Sequence, residues 1–168
     1  MALTNLSESN TLRVASALGY LGVLPFALCA AVLAESAMLG AGVQAAALLG
    51  FYVPYVFVSY SAVILSFVCG ALWGGVNGQR VTRTAANILL FSNIVCLSAW
   101  FSLLLTHISH FMTLVSVGLL AMGFVAVLLV ERSVDSSDGG YWRLRRNLTM
   151  IVVLLHLFVL FVIAMESL

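Results

Sequence analysis

The chain has 168 residues, of which 63% are hydrophobic and only 8% charged. Soluble domains average about 25% charged residues, so a soluble globular fold is excluded. The net charge of +1 carries no electrostatic footprint for a nucleic-acid partner. Every basic side chain is an arginine: Arg13, Arg80, Arg83, Arg132, Arg143, Arg145 and Arg146.

Residues 1–11 are polar, lack Lys and Arg, and include Glu8. They fit neither the basic start of a signal peptide nor an Arg-rich transit peptide. Val14 to Ala34 then runs 21 positions without a charge, enough to cross a bilayer. A first span is expected at about 13–34, with Pro25 kinking or loosening it. From Ser36 to Gln79 there are 44 residues without a charge, too many for one upright helix and tight for two. Proline is favoured in the first turn of a helix, so Pro54 sets a second span at 53–76. Ala41 to Gly50 is then a short helix or re-entrant piece at the outer surface. Tyr52, Tyr55 and Tyr60 lie toward that end, where interfacial aromatics gather.

Further spans are expected at 85–105, 111–130 and 148–165, with a polar loop over 131–147. The fold class is an all-α integral membrane protein: one transmembrane domain over 1–168, a five-helix bundle. With five spans, all seven arginines fall on one side. The positive-inside rule makes that side cytoplasmic, or the matrix in a mitochondrion, with the N-terminus in and the C-terminus out.

The second span carries Ala62, Ser66, Gly70, Gly74 and Gly78, all small and four apart. Such residues share a helix face, and in lipid a smooth face lets a second backbone come close. The expectation is a helix packed along this strip. The third span repeats small residues at Ala85, Ser92, Ala99 and Thr106, and is expected to dock on Gly70 and Gly74.

Polar groups inside spans are costly and therefore candidates for function. His156 is central in the fifth span; Asn87 and Asn93 lie in the third. A small transporter or channel predicts that these three face one cavity. His156 could also serve a quinone- or haem-linked redox protein, though a haem needs a second axial ligand at like depth. The bland alternative for all three is a hydrogen bond to neighbouring backbone. His107 and His110, with Glu35 and Glu166 on the same side, fix no metal geometry. Cys29, Cys69 and Cys96 are odd in number and lie in apolar runs, so neither a disulfide framework nor a zinc site is expected. Trp142, Arg143, Arg145 and Arg146 form an interface anchor that sets topology and attracts anionic headgroups. No catalytic motif is present, so the expectation is a non-enzyme without cofactor.

Three segments carry a resemblance. Gly19-Tyr20-Leu21-Gly22 with Pro25-Phe26, Tyr60 to Phe67 followed by Trp73-Gly74, and Leu144-Arg145 followed by Leu148-Thr149 together resemble the domain of unknown function 3429 family. The pattern departs at Cys69-Gly70 and Leu72, where the family places Gly-Gly and a basic residue before the Trp. The resemblance implies a bacterial inner-membrane protein, or a mitochondrial one similar to transmembrane protein 69, and no established activity. The leading expectation is therefore a protein that packs with other membrane proteins or with itself. Its setting would be that of an accessory or assembly factor in an energy-transducing membrane.

Overall fold

In the hydrocarbon layer no water can satisfy a backbone N–H or C=O, so long apolar segments resolve into helices. The computed structural model describes residues 2–76, 83–134 and 139–166. They form five long helices: α1 (Ala2–Met38), α2 (Val53–Val76), α3 (Arg83–Leu105), α4 (His110–Val134) and α5 (Gly140–Glu166). Each contains a stretch long and apolar enough to cross a membrane.

Each helix packs on its neighbours in the chain, α5 closes back on α1, and α2 meets α4 across the middle. The bundle is thus a ring of five with α2 and α4 pressed together. Phe26, Phe57, Leu65, Leu120 and His156 are fully buried at its centre. Contacts set the register. On α1 and α5, Leu12 lies beside Gly140 and Gly19 beside Leu148, so the two helices run parallel. Helices α1 and α2 run antiparallel: Tyr60 Oη donates to the Gly22 carbonyl at 2.9 Å, and the Phe26 and Phe57 rings stand 5.5 Å apart.

Three features differ from expectation. Helix α1 runs from Ala2 to Met38, longer than the expected 13–34, with Pro25 inside it. Proline removes one helical hydrogen bond, and the remaining turns hold the helix together. Helix α5 begins at Gly140, well before 148; the Arg143 N–H bonds to the Gly139 carbonyl. The Trp-Arg-Leu-Arg-Arg run favours a helix more than a loop, so the basic cluster occupies its first turns. The turn at 77–82, with Gly78, lies outside the described residues.

Over residues 41–50 the expected short helix is a single 3-10 turn, and a hairpin that the sequence did not suggest follows it. A 3-10 turn at Val43–Ala45 leads into a hairpin, β1 (Ala47–Leu48) paired with β2 (Phe51–Tyr52). Leu49 and Gly50 turn it with φ of 52° and 83°, the pair of positive values that a tight two-residue hairpin turn requires. This cap is tied to the bundle by side chains. The Glu166 carboxylate at the end of α5 accepts from the Val43 N–H. Ser36 Oγ donates to the Gly42 carbonyl at 2.6 Å. Gln44 Nε2 lies 2.8 Å from His110 Nδ1 on α4.

Candidate functional site

An α-helix turns about 100° per residue, so residues four apart drift by roughly 40° at each step. The small strip of α2 follows that drift out of the core. Ala62 is buried, Ser66 is half-buried, and Gly70 and Gly74 are exposed. A Cβ at Gly70 or Gly74 would meet nothing within 4 Å. The expectation that α3 docks on these two glycines is therefore overturned. The α3 seam itself is inside: Ala85, Ser92 and Ala99 are buried. It meets α2 nearer Ser66, whose hydroxyl accepts from Cys96 Sγ at 3.5 Å. The exposed face of α2 also carries Val63, Phe67 and Trp73.

The glycines that a neighbouring helix's side chains need lie outside the strip. A Cβ on Gly123 of α4 would stand 2.6 Å from Leu65 Cδ2 on α2 and 3.5 Å from Val95 Cγ1 on α3. A Cβ on Gly19 would stand 2.5 Å from Leu148 Cδ1. Each glycine ends a short repeat of small residues, Thr11-Ala15-Gly19 at spacing four and Ser109-Ser116-Gly123 at spacing seven, a signal the sequence reading did not use.

His156 is wholly buried among three phenylalanines, its ring centroid 4.7 Å from Phe57, 5.5 Å from Phe124 and 5.6 Å from Phe26. Nδ1 lies 2.8 Å from the Val152 carbonyl of its own helix. A carbonyl only accepts, so Nδ1 carries the proton and Nε2 is left as a bare acceptor. Nε2 is buried and has no hydrogen-bond partner. Asn87 and Asn93 are on the outside of α3, and Asn93 donates to the Leu89 carbonyl at 2.9 Å. The expectation of one cavity shared by His156, Asn93 and Asn87 is therefore overturned: the imidazole faces the core and the two amides face outward.

A haem at His156 also lacks its second ligand, because His107 and His110 belong to the opposite, capped end. There His107 lies 5.1 Å from the Tyr55 ring and His110 meets Gln44. Among the described residues no three of His, Cys, Asp and Glu cluster, and the three cysteines are free thiols.

The arginine-bearing end is organised by α4 and α5. Arg145 Nε bonds Glu131 Oε2 at 2.9 Å, with both side chains mostly shielded. The Arg132 guanidinium sits 5.1 Å from the Trp142 ring centre, while Arg143 and Arg146 are exposed. Beside them a groove of about 360 Å³ runs between α1, α2 and α5, from Tyr141 and Arg145 inward to Phe26, Phe124 and Val152.

A family model described as a protein of unknown function, DUF3429, matches residues 11–161. The chain belongs to the DUF3429 family. No curated protein and no solved structure matches it. The DUF3429 segments singled out in the sequence come together in space. Gly19 and Gly22 of α1, Ile64 and Phe67 of α2, and Leu148 and Thr149 of α5 all line the groove. Three of them join the helices that border it: Leu148 packs on Gly19, and the Gly22 carbonyl accepts from the Tyr60 hydroxyl.

Proposed function

We propose that this DUF3429 protein is a non-enzymatic, multi-pass membrane protein that works by association. In this reading α2 offers its outer face to a helix of another chain, a different membrane protein or a second copy, and the protein serves as an accessory or assembly factor of an energy-transducing membrane. The observation that carries the reading is the open backbone at Gly70 and Gly74, where an added Cβ would touch nothing in this chain. In lipid, association gains little from hydrophobicity and rests on close backbone packing, which small residues permit. Exposed Phe67 and Trp73 flank that smooth patch and supply contact area beside it.

The arginine distribution supports an orientation with the N-terminus in the cytoplasm of a bacterium, or in the matrix of a mitochondrion, and the C-terminus on the far side. A reporter fused to the C-terminus, active only outside the cytoplasm, tests this orientation.

The association is tested by Gly70→Leu and Gly74→Leu. The Cβ of either leucine meets nothing within 4 Å, and both positions are exposed, so both variants should fold as the wild type does. Cross-linking in membranes, followed by gentle solubilisation, should then show the native oligomer or partner complex lost in the variants. Variants that fold and keep the wild-type complex would rule out this face as the contact.

A further inference from the structure

The groove is distinct from the Gly70–Gly74 patch, since neither glycine lines it, although Phe67 borders both. Its shape limits what can fill it. It extends along α5 from Tyr141 to Val152, eleven residues, or about 16 Å at 1.5 Å per residue. One leaflet of the hydrocarbon core is about 15 Å deep, half of roughly 30 Å. Its length therefore matches about one leaflet, and the Phe26 and Phe124 rings line its inner end.

Its width is just as restrictive. A volume of about 360 Å³ spread over that length gives a mean cross-section of roughly 20 Å², whereas a helix 10–12 Å across needs roughly 80–110 Å². A partner helix does not fit, and a single hydrocarbon chain does. The walls are mostly apolar: Leu18, Val23, Phe26, Ile64 and Val68 offer no hydrogen-bonding side chain to a polar ligand, and Thr149 is the one hydroxyl beside them.

The mouth has the opposite character. Tyr141 and Arg145 border it. Arg145 engages Glu131 through Nε, and its terminal nitrogens bond no other described side chain. Arg13 is at the same level, because Leu12 packs beside Gly140, and it is exposed. On this side of the membrane the sequence places seven arginines against four carboxylates, Glu8, Glu131, Asp135 and Asp138. Guanidinium groups match phosphate oxygens in geometry and charge, and basic clusters at an interface favour anionic headgroups.

We infer that this groove is a binding site for one anionic phospholipid of the adjoining leaflet, with an acyl chain between α1, α2 and α5 and the phosphate at Arg145. The site is independent of the association proposed above, and either can fail without the other.

The test uses the full-length protein in nanodiscs containing phosphatidylglycerol with a diazirine in its acyl chain. Irradiation followed by peptide mapping should place the label on 15–26, 64–68 and 144–152. Label spread evenly over the outer faces of α3 and α4 would overturn the proposal, and this arm needs no variant.

Native mass spectrometry supplies the second arm. Wild-type protein offered equal phosphatidylglycerol and phosphatidylcholine should retain one phosphatidylglycerol, with a preference of about fivefold or more. Gly22→Leu fills the groove, and its Cβ would meet only the Tyr60 hydroxyl, at 3.8 Å; it should lose the retained lipid. Ala15→Leu near the mouth serves the same purpose if Gly22→Leu does not fold. Equal retention of both lipids, or equal retention by wild type and filled variants, would overturn the assignment.

Discussion

Gly123→Ala, compared with Gly70→Ala, separates a glycine that a helix contact requires from one that it does not. Both substitutions add one methyl to an apolar helix, and both gain the same helix preference of alanine over glycine, about 1 kcal/mol. That gain cancels in the difference. What remains is the surroundings of the new Cβ. At Gly70 it meets nothing within 4 Å, whereas at Gly123 it meets Leu65 Cδ2 at 2.6 Å and Val95 Cγ1 at 3.5 Å. Ordinary carbon contacts lie at roughly 3.5–4.0 Å, so the first approach is short by about 1 Å. Leu65 is fully buried, so its methyl can give way only by shifting the side chain against packed neighbours. Overpacking of this kind costs about 1–3 kcal/mol. Gly70→Ala should therefore be neutral or stabilising by up to about 1 kcal/mol. Gly123→Ala should be less stable than Gly70→Ala by about 1–3 kcal/mol. Unfolding in mixed micelles with rising SDS, followed by circular dichroism, measures both. If Gly123→Ala proves as stable as Gly70→Ala, then α4 does not lie against Leu65 as described.

His156→Leu removes a buried acceptor with no partner, which recovers about 1–3 kcal/mol, and loses the Nδ1 bond, worth about 0.5–1.5 kcal/mol. The same unfolding assay should find a change between a loss of about 0.5 and a gain of about 2.5 kcal/mol; a larger loss would mean Nε2 has a partner in the membrane. Glu166→Gln replaces the charged acceptor of the Val43 N–H with a neutral one, so amide exchange over 41–52 should speed up while the helices stay protected. Tyr52, outside the spans, has its phenol pKa raised above 10.0 by burial and then by the Glu166 charge, against a lowering bond from Gln44. A raised pKa keeps the proton on the folded state, so this stability contribution is present below pH 10 and is lost as pH rises through the folded-state value. Ultraviolet titration should find Tyr52 ionising at lower pH in Glu166→Gln than in wild type.

Much of the architecture follows from charge placement. Charge-free runs around Val14–Ala34, Pro54–Val76, Ala85–Leu105, Phe111–Val130 and Leu148–Ala164 have no option in lipid except helix. Polar turns and Pro54 mark where most of them stop. The basic Trp-Arg-Leu-Arg-Arg run read as loop because its charges were weighed and its helix preference was not. The cap over 41–50 was hard to read for another reason. Its hairpin depends on Leu49, a residue with no turn preference, and on side chains from 110 and 166 that are remote in sequence.

Residue chemistry alone determined that the chain lives in a membrane and crosses it through five helices, because burying an unpaired peptide group in hydrocarbon is prohibitive. It could not say which side of each helix faces inward. In water an apolar stripe marks the core face; in lipid the outside is apolar too, and that mark is erased. Only tertiary packing decided that Gly123 and Gly19, rather than Gly70 and Gly74, are where a neighbouring helix's leucine seats on bare backbone, that His156 points to a phenylalanine cage while Asn87 and Asn93 point outward, and that α1, α2 and α5 leave a leaflet-deep groove beside Arg145.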